Sequence, residues 1–383
     1  MIFKPKQQLF NISEDVIYLN TASFSPAFKS VETAGIEAIK QKSHPELRQG
    51  SDLFNPVIDL RKLFAKVIDE DDYNRVVTIP SVSYGMANVA NNITLNSGDE
   101  ILIVEEQFPS NYYIWEDVAK RYDTKIVTIK QPDNPEDWNS AILKKINSKT
   151  ALVAIGHIHW ANGLLFDLKA IRNKTSENNS LLVIDGSQSI GALPFSIKDI
   201  QPDALVCAGY KWLFGPYGCA YAYYGPYFDG GKPIEQNWAN RLGSENLSGL
   251  TTYQSEYKSK ASRYAMGESG SFIYVKMQIA ALTEILKINR QEFQEYCHLI
   301  SEKSLVKLSE LGFTSNTPNI RAKHLFGIKI PNSVDVDKLK EVLKSNNIHL
   351  SFRGKYMRVS CHVFNAEKHF NKLYNVINSV VNG

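Results

Sequence analysis

The stretch LLVIDGSQSIGALPFSIKDIQPDALVCAGYKWLFGPYG, residues 181–218, decides the fold. It holds two short apolar runs, 181–185 and 204–208. The first stops on Asp185-Gly186, and the second passes through Ala208-Gly209 to Lys211. Continuous apolar runs this short read as strands buried on both faces of a parallel sheet. An acid ending such a strand suits a metal, a ribose or a protonated ring nitrogen; it also suits a plain turn cap. A lysine just past a buried strand is unusual, because desolvating an ammonium ion is costly. It is either ion-paired, or its pKa falls and it becomes a nucleophile. The following Gly215-Pro216-Tyr217-Gly218 predicts a tight turn holding it in place.

Working outward, runs of the same kind occupy 76–80, 101–105, 125–129 and 151–156, with amphipathic pieces such as 111–122 between them. Strands alternating with helices predict an α/β layer fold with helices on both faces. Residues 219–224 follow without a long helix before them, so this seventh strand is expected to run antiparallel in a mostly parallel sheet. The character then changes. Residues 277–311 read as one or two helices, 325–330 as a strand, 336–345 as a helix, and 350–359 as a strand pair turning near Gly354. A last helix is expected from Asn365, read as its N-cap, with Leu373, Val376, Ile377 and Val380 on one face. The expected organisation is an N-terminal segment (1–20) packing with the small domain, a large α/β domain (21–260) and a smaller α+β C-terminal domain (261–383).

Composition narrows the function. With 43% hydrophobic and 22% charged residues over 383 positions, the chain is globular rather than disordered. A net charge of +3 gives no basic footprint for nucleic acid. No apolar run reaches a membrane span, and residues 1–10 show no secretory signal. Cys207, Cys219, Cys297 and Cys361 lack C-x-x-C spacing, and no Cys/His cluster reads as a metal site. The expectation is a cytoplasmic protein with free thiols, no metal, and no nucleic-acid or membrane partner.

In an open parallel sheet, ligands sit beyond the carboxyl ends of the strands. A third strand end, Ile79-Pro80-Ser81-Val82-Ser83-Tyr84-Gly85, runs straight into a helix. Small hydroxyl residues there cap the helix, and its free N–H groups and dipole suit a phosphate. Three strand ends therefore supply a phosphate cradle, an acid and a lysine. Pyridoxal phosphate requires that set: an anchor for its phosphate, a carboxylate at its pyridinium nitrogen, and a lysine for the Schiff base.

At these residues the chain resembles the class V aminotransferase family of fold-type-I pyridoxal-phosphate enzymes, which includes cysteine desulfurases, kynureninases and isopenicillin-epimerase-like proteins. The likeness runs from Tyr18-Leu19-Asn20-Thr21-Ala22 to Arg358-Val359-Ser360 and Phe364-Asn365. It implies that Lys211 is the Schiff-base lysine and Asp185 the acid at the ring nitrogen. It places Gln188 near the ring hydroxyl, Phe108 stacked on the ring, and Val82, Ser83 and Tyr210 at the phosphate. It implies Arg358 as the grip on the substrate α-carboxylate, with Arg353 its rival and Asn20 also at the substrate. It also implies a homodimer with the site at the interface, Ser271 of residues 267–271 reaching the partner's phosphate. The implied activity is amino-group transfer or a lyase reaction on a small amino acid. The alternatives are a cysteine desulfurase or selenocysteine lyase, and a non-catalytic relative.

Three departures stand out. Ala208 replaces a hydroxyl residue at the phosphate, and Trp160 replaces the desulfurase asparagine, with Asn162 close by. Only four residues separate Arg353 from Arg358, leaving no room for the long loop that carries the desulfurase cysteine. Cys361 follows that arginine and reads as a small packed residue.

Overall fold

The computed structural model describes residues 5–382; Met1–Lys4 of the N-terminal segment and Gly383 lie outside the described residues. In chain order the strands are β1 (Ile17–Tyr18), β2 (Val76–Ile79), β3 (Glu100–Val104), β4 (Lys125–Ile129), β5 (Thr150–Gly156), β6 (Leu181–Asp185), β7 (Ala204–Ala208), β8 (Ala220–Tyr224), β9 (Thr314–Ser315), β10 (Leu325–Lys329), β11 (Ile348–His349), β12 (Ser351–Arg353) and β13 (Tyr356–Ser360). Seven of them form one sheet in the order β2-β8-β7-β6-β5-β3-β4. All neighbours from β7 to β4 are parallel. β8 runs antiparallel to both β2 and β7, as the missing helix before it predicts.

Period-two alternation along these strands splits the core into two layers. Leu102, Val104, Val153, Ile155, Leu182 and Ile184 face one layer. Ile101, Ile103, Leu152, Ala154 and Val183 face the other. Both faces are thus apolar, which is why these runs show no polar alternation in the sequence. The helix Val82–Ala90 lies unusually close to the sheet. A Cβ on Gly85 would stand 2.6 Å from Val206 and 2.7 Å from Ile79, so only glycine permits the approach that sets the helix start against the strand ends.

The C-terminal part holds a four-stranded antiparallel sheet, β12-β13-β10-β9. β12 and β13 join through a tight turn in which Gly354 takes φ +53°, with Arg353 opposite Tyr356. β1 pairs in parallel with β11, and Asn20 bridges to Ser360, tying the N-terminal segment to this part. The helix Phe272–Leu286 packs on the helices Lys29–Lys42 and Asn55–Val67. The final helix begins at Glu367, two residues after Asn365. Asn365 is not its cap: Oδ1 accepts from the His362 N–H at 2.8 Å, and Nδ2 donates to the Tyr18 carbonyl at 2.9 Å. Among the described residues no helix is long and apolar enough to cross a membrane, and no His/Cys/Asp/Glu cluster could hold a metal.

Candidate active site

The carboxyl ends of β2, β5, β6 and β7 open onto one cavity of about 230 Å³. Ser81 caps the helix Val82–Ala90 with its Oγ accepting from the Tyr84 N–H at 3.1 Å. The N–H groups of Val82 and Ser83 sit in the first turn, where no intrahelical acceptor exists. Ser81, Val82 and Ser83 all line the cavity.

Asp185 ends β6 and enters the same cavity. Its Oδ1 accepts from the Ser187 N–H at 2.9 Å. The Ser187 hydroxyl in turn accepts from the Ala208 N–H at 3.1 Å, so one serine links the two strand ends. Gln188 lines the cavity, but its amide is already engaged. Its Oε1 accepts from the Trp212 indole at 2.8 Å, and its Nε2 donates to the Ala22 carbonyl at 3.1 Å.

Lys211 follows β7, and only 7% of it is exposed. Among the described residues no carboxylate forms an ion pair with it, so the structural-lysine alternative has no partner to offer. Burial pushes its pKa down to about 8; Asp185 opposes that shift, and Arg358 and Arg353 add to it. Its Nζ lies 5.4 Å from the centre of the Phe108 ring and 5.8 Å from that of Tyr210. Phe108 meets Trp160 edge-to-face at 5.4 Å, and both line the cavity. The Trp160 indole donates to the Glu106 carbonyl at 2.7 Å, fixing the ring as a wall.

Arg358, in β13, is 2% exposed. Its Nε donates to Ser351 Oγ at 3.1 Å, Nη1 to the Trp160 carbonyl at 3.0 Å and Nη2 to Ser23 Oγ at 2.6 Å. Burial and neighbouring Arg353 lower its pKa to about 9, and no acid offsets them. Arg353 donates to the Phe352 carbonyl at 2.7 Å and to Ser23 Oγ at 3.4 Å. The two guanidinium carbons stand 5.8 and 5.9 Å from the Trp160 ring, so the pair lies against the wall of the lysine cavity rather than in its lining. Asn20 is close in register to both, paired with Ser360, and its Oδ1 is buried without a partner among the described residues.

Two further residues lie outside this cavity: Ser271, expected at the partner's phosphate, and Asn162, whose role the sequence left open. Ser271 lines a separate cavity of about 370 Å³, with Trp238, Leu242 and Phe272. Asn162 turns away: Oδ1 accepts from the Leu164 N–H at 3.0 Å, and Nδ2 donates to Gln131 Oε1 at 3.3 Å. Cys361 is fully buried, its thiol 3.9 Å from the His324 carbonyl. The cysteine in the cavity lining is instead Cys219, whose thiol burial pushes up to about 12. Sequence reasoning missed Cys219, Ser187, Tyr217 and Ser23. Ser187 was legible two places after Asp185, whereas nothing local marks Ser23.

The family model described as Aminotransferase class-V matches residues 17–370. The chain is 26% identical to an uncharacterized aminotransferase of Bacillus subtilis over 66% of this chain and 65% of that one. It is 26% identical to a probable cysteine desulfurase of Halalkalibacterium halodurans over 64% and 58%. It is 24% identical to the isopenicillin N epimerase of Streptomyces clavuligerus over 47% and 46%. The matched stretch thus spans between about half and just under two thirds of these curated relatives. Among solved structures, a cysteine desulfurase from Thermococcus onnurineus NA1 superposes with a TM-score of 0.85 at 19% identity, covering 98% of this chain and 97% of that one. A cystine C–S lyase in complex with its product cysteine persulfide gives 0.84 at 19% identity, over 94% and 96%. At such identities the likeness shows the fold.

Proposed function

The chain belongs to the class-V aminotransferase family, and we propose that it is a pyridoxal-phosphate-dependent enzyme. It acts at the α-carbon of a small amino acid, by amino-group transfer or a lyase reaction, with Lys211 as the lysine that binds the cofactor. The observation that carries this reading is the cavity itself: a buried lysine without an ion-pair partner among the described residues, an acid, and an open helix start converge on one space.

These residues fit the cofactor. The Val82 and Ser83 N–H groups would hold its phosphate at the positive end of a helix dipole. Asp185 would keep the ring nitrogen protonated, and Phe108 would cover one ring face. Tyr210 lines the same cavity and would offer its hydroxyl to the phosphate, and Ser187 braces Asp185 against β7. Gln188, with one bond each to Trp212 and Ala22, would serve the ring through its remaining Nε2 hydrogen or the second lone pair of Oε1. Pyridoxal phosphate supplies a ring that takes up the electron pair released when a bond at the substrate Cα breaks.

The chain's own groups do the rest. A Lys211 amine with pKa near 8 has a sizeable neutral minority at physiological pH, so it can both attack a carbonyl and carry a proton at Cα. Arg358 holds the α-carboxylate through donors that Ser351, Ser23 and Trp160 leave free, and Asn20 stands beside it. Phe108 and Trp160 would stand as aromatic walls beside the reacting face. The enzyme is a cytoplasmic homodimer in this reading. Exposed Trp238 and Leu242 beside Ser271 form an apolar surface for a second copy, which would bring Ser271 to the partner's phosphate.

Desulfurase chemistry needs a mobile, ionisable thiol. Cys361 is buried outside the cavity, the Arg353–Tyr356 turn leaves no loop, and Cys219 is held as a thiol. The structure therefore favours the aminotransferase or non-thiol lyase reading. Borohydride treatment of the yellow protein, followed by peptide mass spectrometry, tests it. The reduced adduct is expected on Lys211, and an adduct on any other lysine would overturn the assignment.

A further inference from the structure

Arg353 and Arg358 share one hydroxyl acceptor, Ser23 Oγ, at 3.4 and 2.6 Å. Both guanidiniums also lie within 5.9 Å of the single indole of Trp160, a wall of the lysine cavity. Two positive groups are thus set side by side, and among the described residues no acid acts on either of them. All the acceptors they use are neutral: two serine hydroxyls and two main-chain carbonyls. Uncompensated like charges in a partly buried site are unfavourable until an anion arrives.

Donor counting shows how much anion the pair can take. A guanidinium carries five N–H groups. Arg358 spends three of them on protein and Arg353 two, so each keeps at least two for a carboxylate of its own. A single α-carboxylate would satisfy one fork and leave a second charge unneutralised. We propose that Arg353 is the receptor for a second carboxylate, so that the site selects amino acids with an acidic side chain, while Ser23 fixes the separation of the two guanidiniums. This rests on the reading of Arg358 as the α-carboxylate grip and names the substrate class of that same site.

The test uses amino-free acids on the holoenzyme, because these report on the arginines without any bond to Lys211. Succinate and butyrate, four carbons each, are titrated at matched ionic strength, read by the cofactor absorbance band and by the thermal midpoint. Succinate is expected to bind about tenfold or more tightly, the size of one charge-assisted fork. Arg353→Gln is expected to erase that preference, and Arg353→Lys to restore part of it. Ser23→Ala is expected to shrink it while leaving the thermal midpoint of the unliganded protein close to wild type. L-glutamate against L-norvaline is expected to show the same ordering. Equal binding of succinate and butyrate in the wild type would overturn the proposal. So would Arg353→Gln weakening both acids by one common factor, which would mean that the pair grips a single carboxylate. An adduct found away from Lys211 would sink the cofactor assignment but leave this result standing, so the two failures are distinguishable.

Discussion

Among the described residues Lys211 and Arg358 are both buried with no carboxylate in ion-pair contact, yet the protein puts them to different uses. Around Lys211 the described residues offer no ion-pair partner, and desolvation drives its pKa to about 8. Around Arg358 three neutral oxygens accept from the guanidinium; burial and Arg353 lower its pKa as well, to about 9, which still leaves it charged at physiological pH. The first arrangement frees an amine to react; the second keeps a charge in place to bind. Burial alone does not say which a cation will become. The acceptors around it decide, and they come from different parts of the chain.

The comparison breaks most visibly at Lys211. Lys211→Ala is expected to abolish the borohydride-reducible adduct and to lower turnover by about a thousandfold or more, since one group both binds and moves the proton. The neutral amine is the attacking form, so condensation of cofactor-free protein with the aldehyde is expected to speed up as pH rises through about 8. A rate flat across that interval would mean that the amine is not held as the geometry implies.

Asp185 is the counterpart that keeps the cavity from being purely positive. Asp185→Ala is expected to cut turnover by about a hundredfold, an effect of the size general acid–base and electrostatic groups contribute. Cofactor content should fall far less, because the helix start supplies the anchoring. Activity within a few-fold of wild type would remove Asp185 from its role.

Arg358 sharpens the other half of the comparison. Arg358→Lys keeps a charge but loses the planar fork that Ser23, Ser351 and Trp160 hold. Amino-acid binding is expected to weaken by about 2–5 kcal/mol, with amines lacking the carboxylate barely affected. Equal losses for both classes would make Arg358 structural.

How far the sequence foretold these regions follows from what each is made of. The strands β4, β6 and β7 and the helix Val336–Ser345 fall at their expected bounds, because a continuous apolar run or a 3.6-residue period is a local signal. Lys211 and Asp185 share a cavity because a parallel stretch delivers every carboxyl end to one edge, and Val82 and Ser83 join them because two antiparallel pairings through β8 leave β2 pointing the same way as β7. The arginine site had no such rule behind it. Ser23 and Arg358 are 335 positions apart, and only the pairing of β1 with β11 and of Asn20 with Ser360 brings them together. Asn365 misled for a related reason. Its type favours a cap, but its oxygen is captured by the His362 N–H before the helix begins. Residue type predicted a hydrogen bond there, and tertiary contacts chose the partner.

Cys361 carries the smallest expected effect and bears on what kind of chemistry the pair of regions serves. It directly follows β13, three residues past Arg358, close in sequence to the substrate grip yet on the inner side of the strand. It is wholly buried, with its sulfur 3.9 Å from the His324 carbonyl and against the Cys297 thiol. Reaching a substrate beside Lys211 would require β13 to leave its register with β10 and β12, a rearrangement that would also displace Arg358. A thiol serving sulfur transfer therefore could not act from here while the carboxylate grip held. Cys361→Ala is expected to leave turnover within about twofold and to cost stability about 1 kcal/mol, the burial energy of a group that size. Turnover and the thermal midpoint, measured on the same preparation, separate the two. If the variant kept its cofactor and fold but lost all sulfur release from cysteine, β13 would have to move during the reaction, and the contrast between a reactive lysine and a fixed arginine would no longer hold.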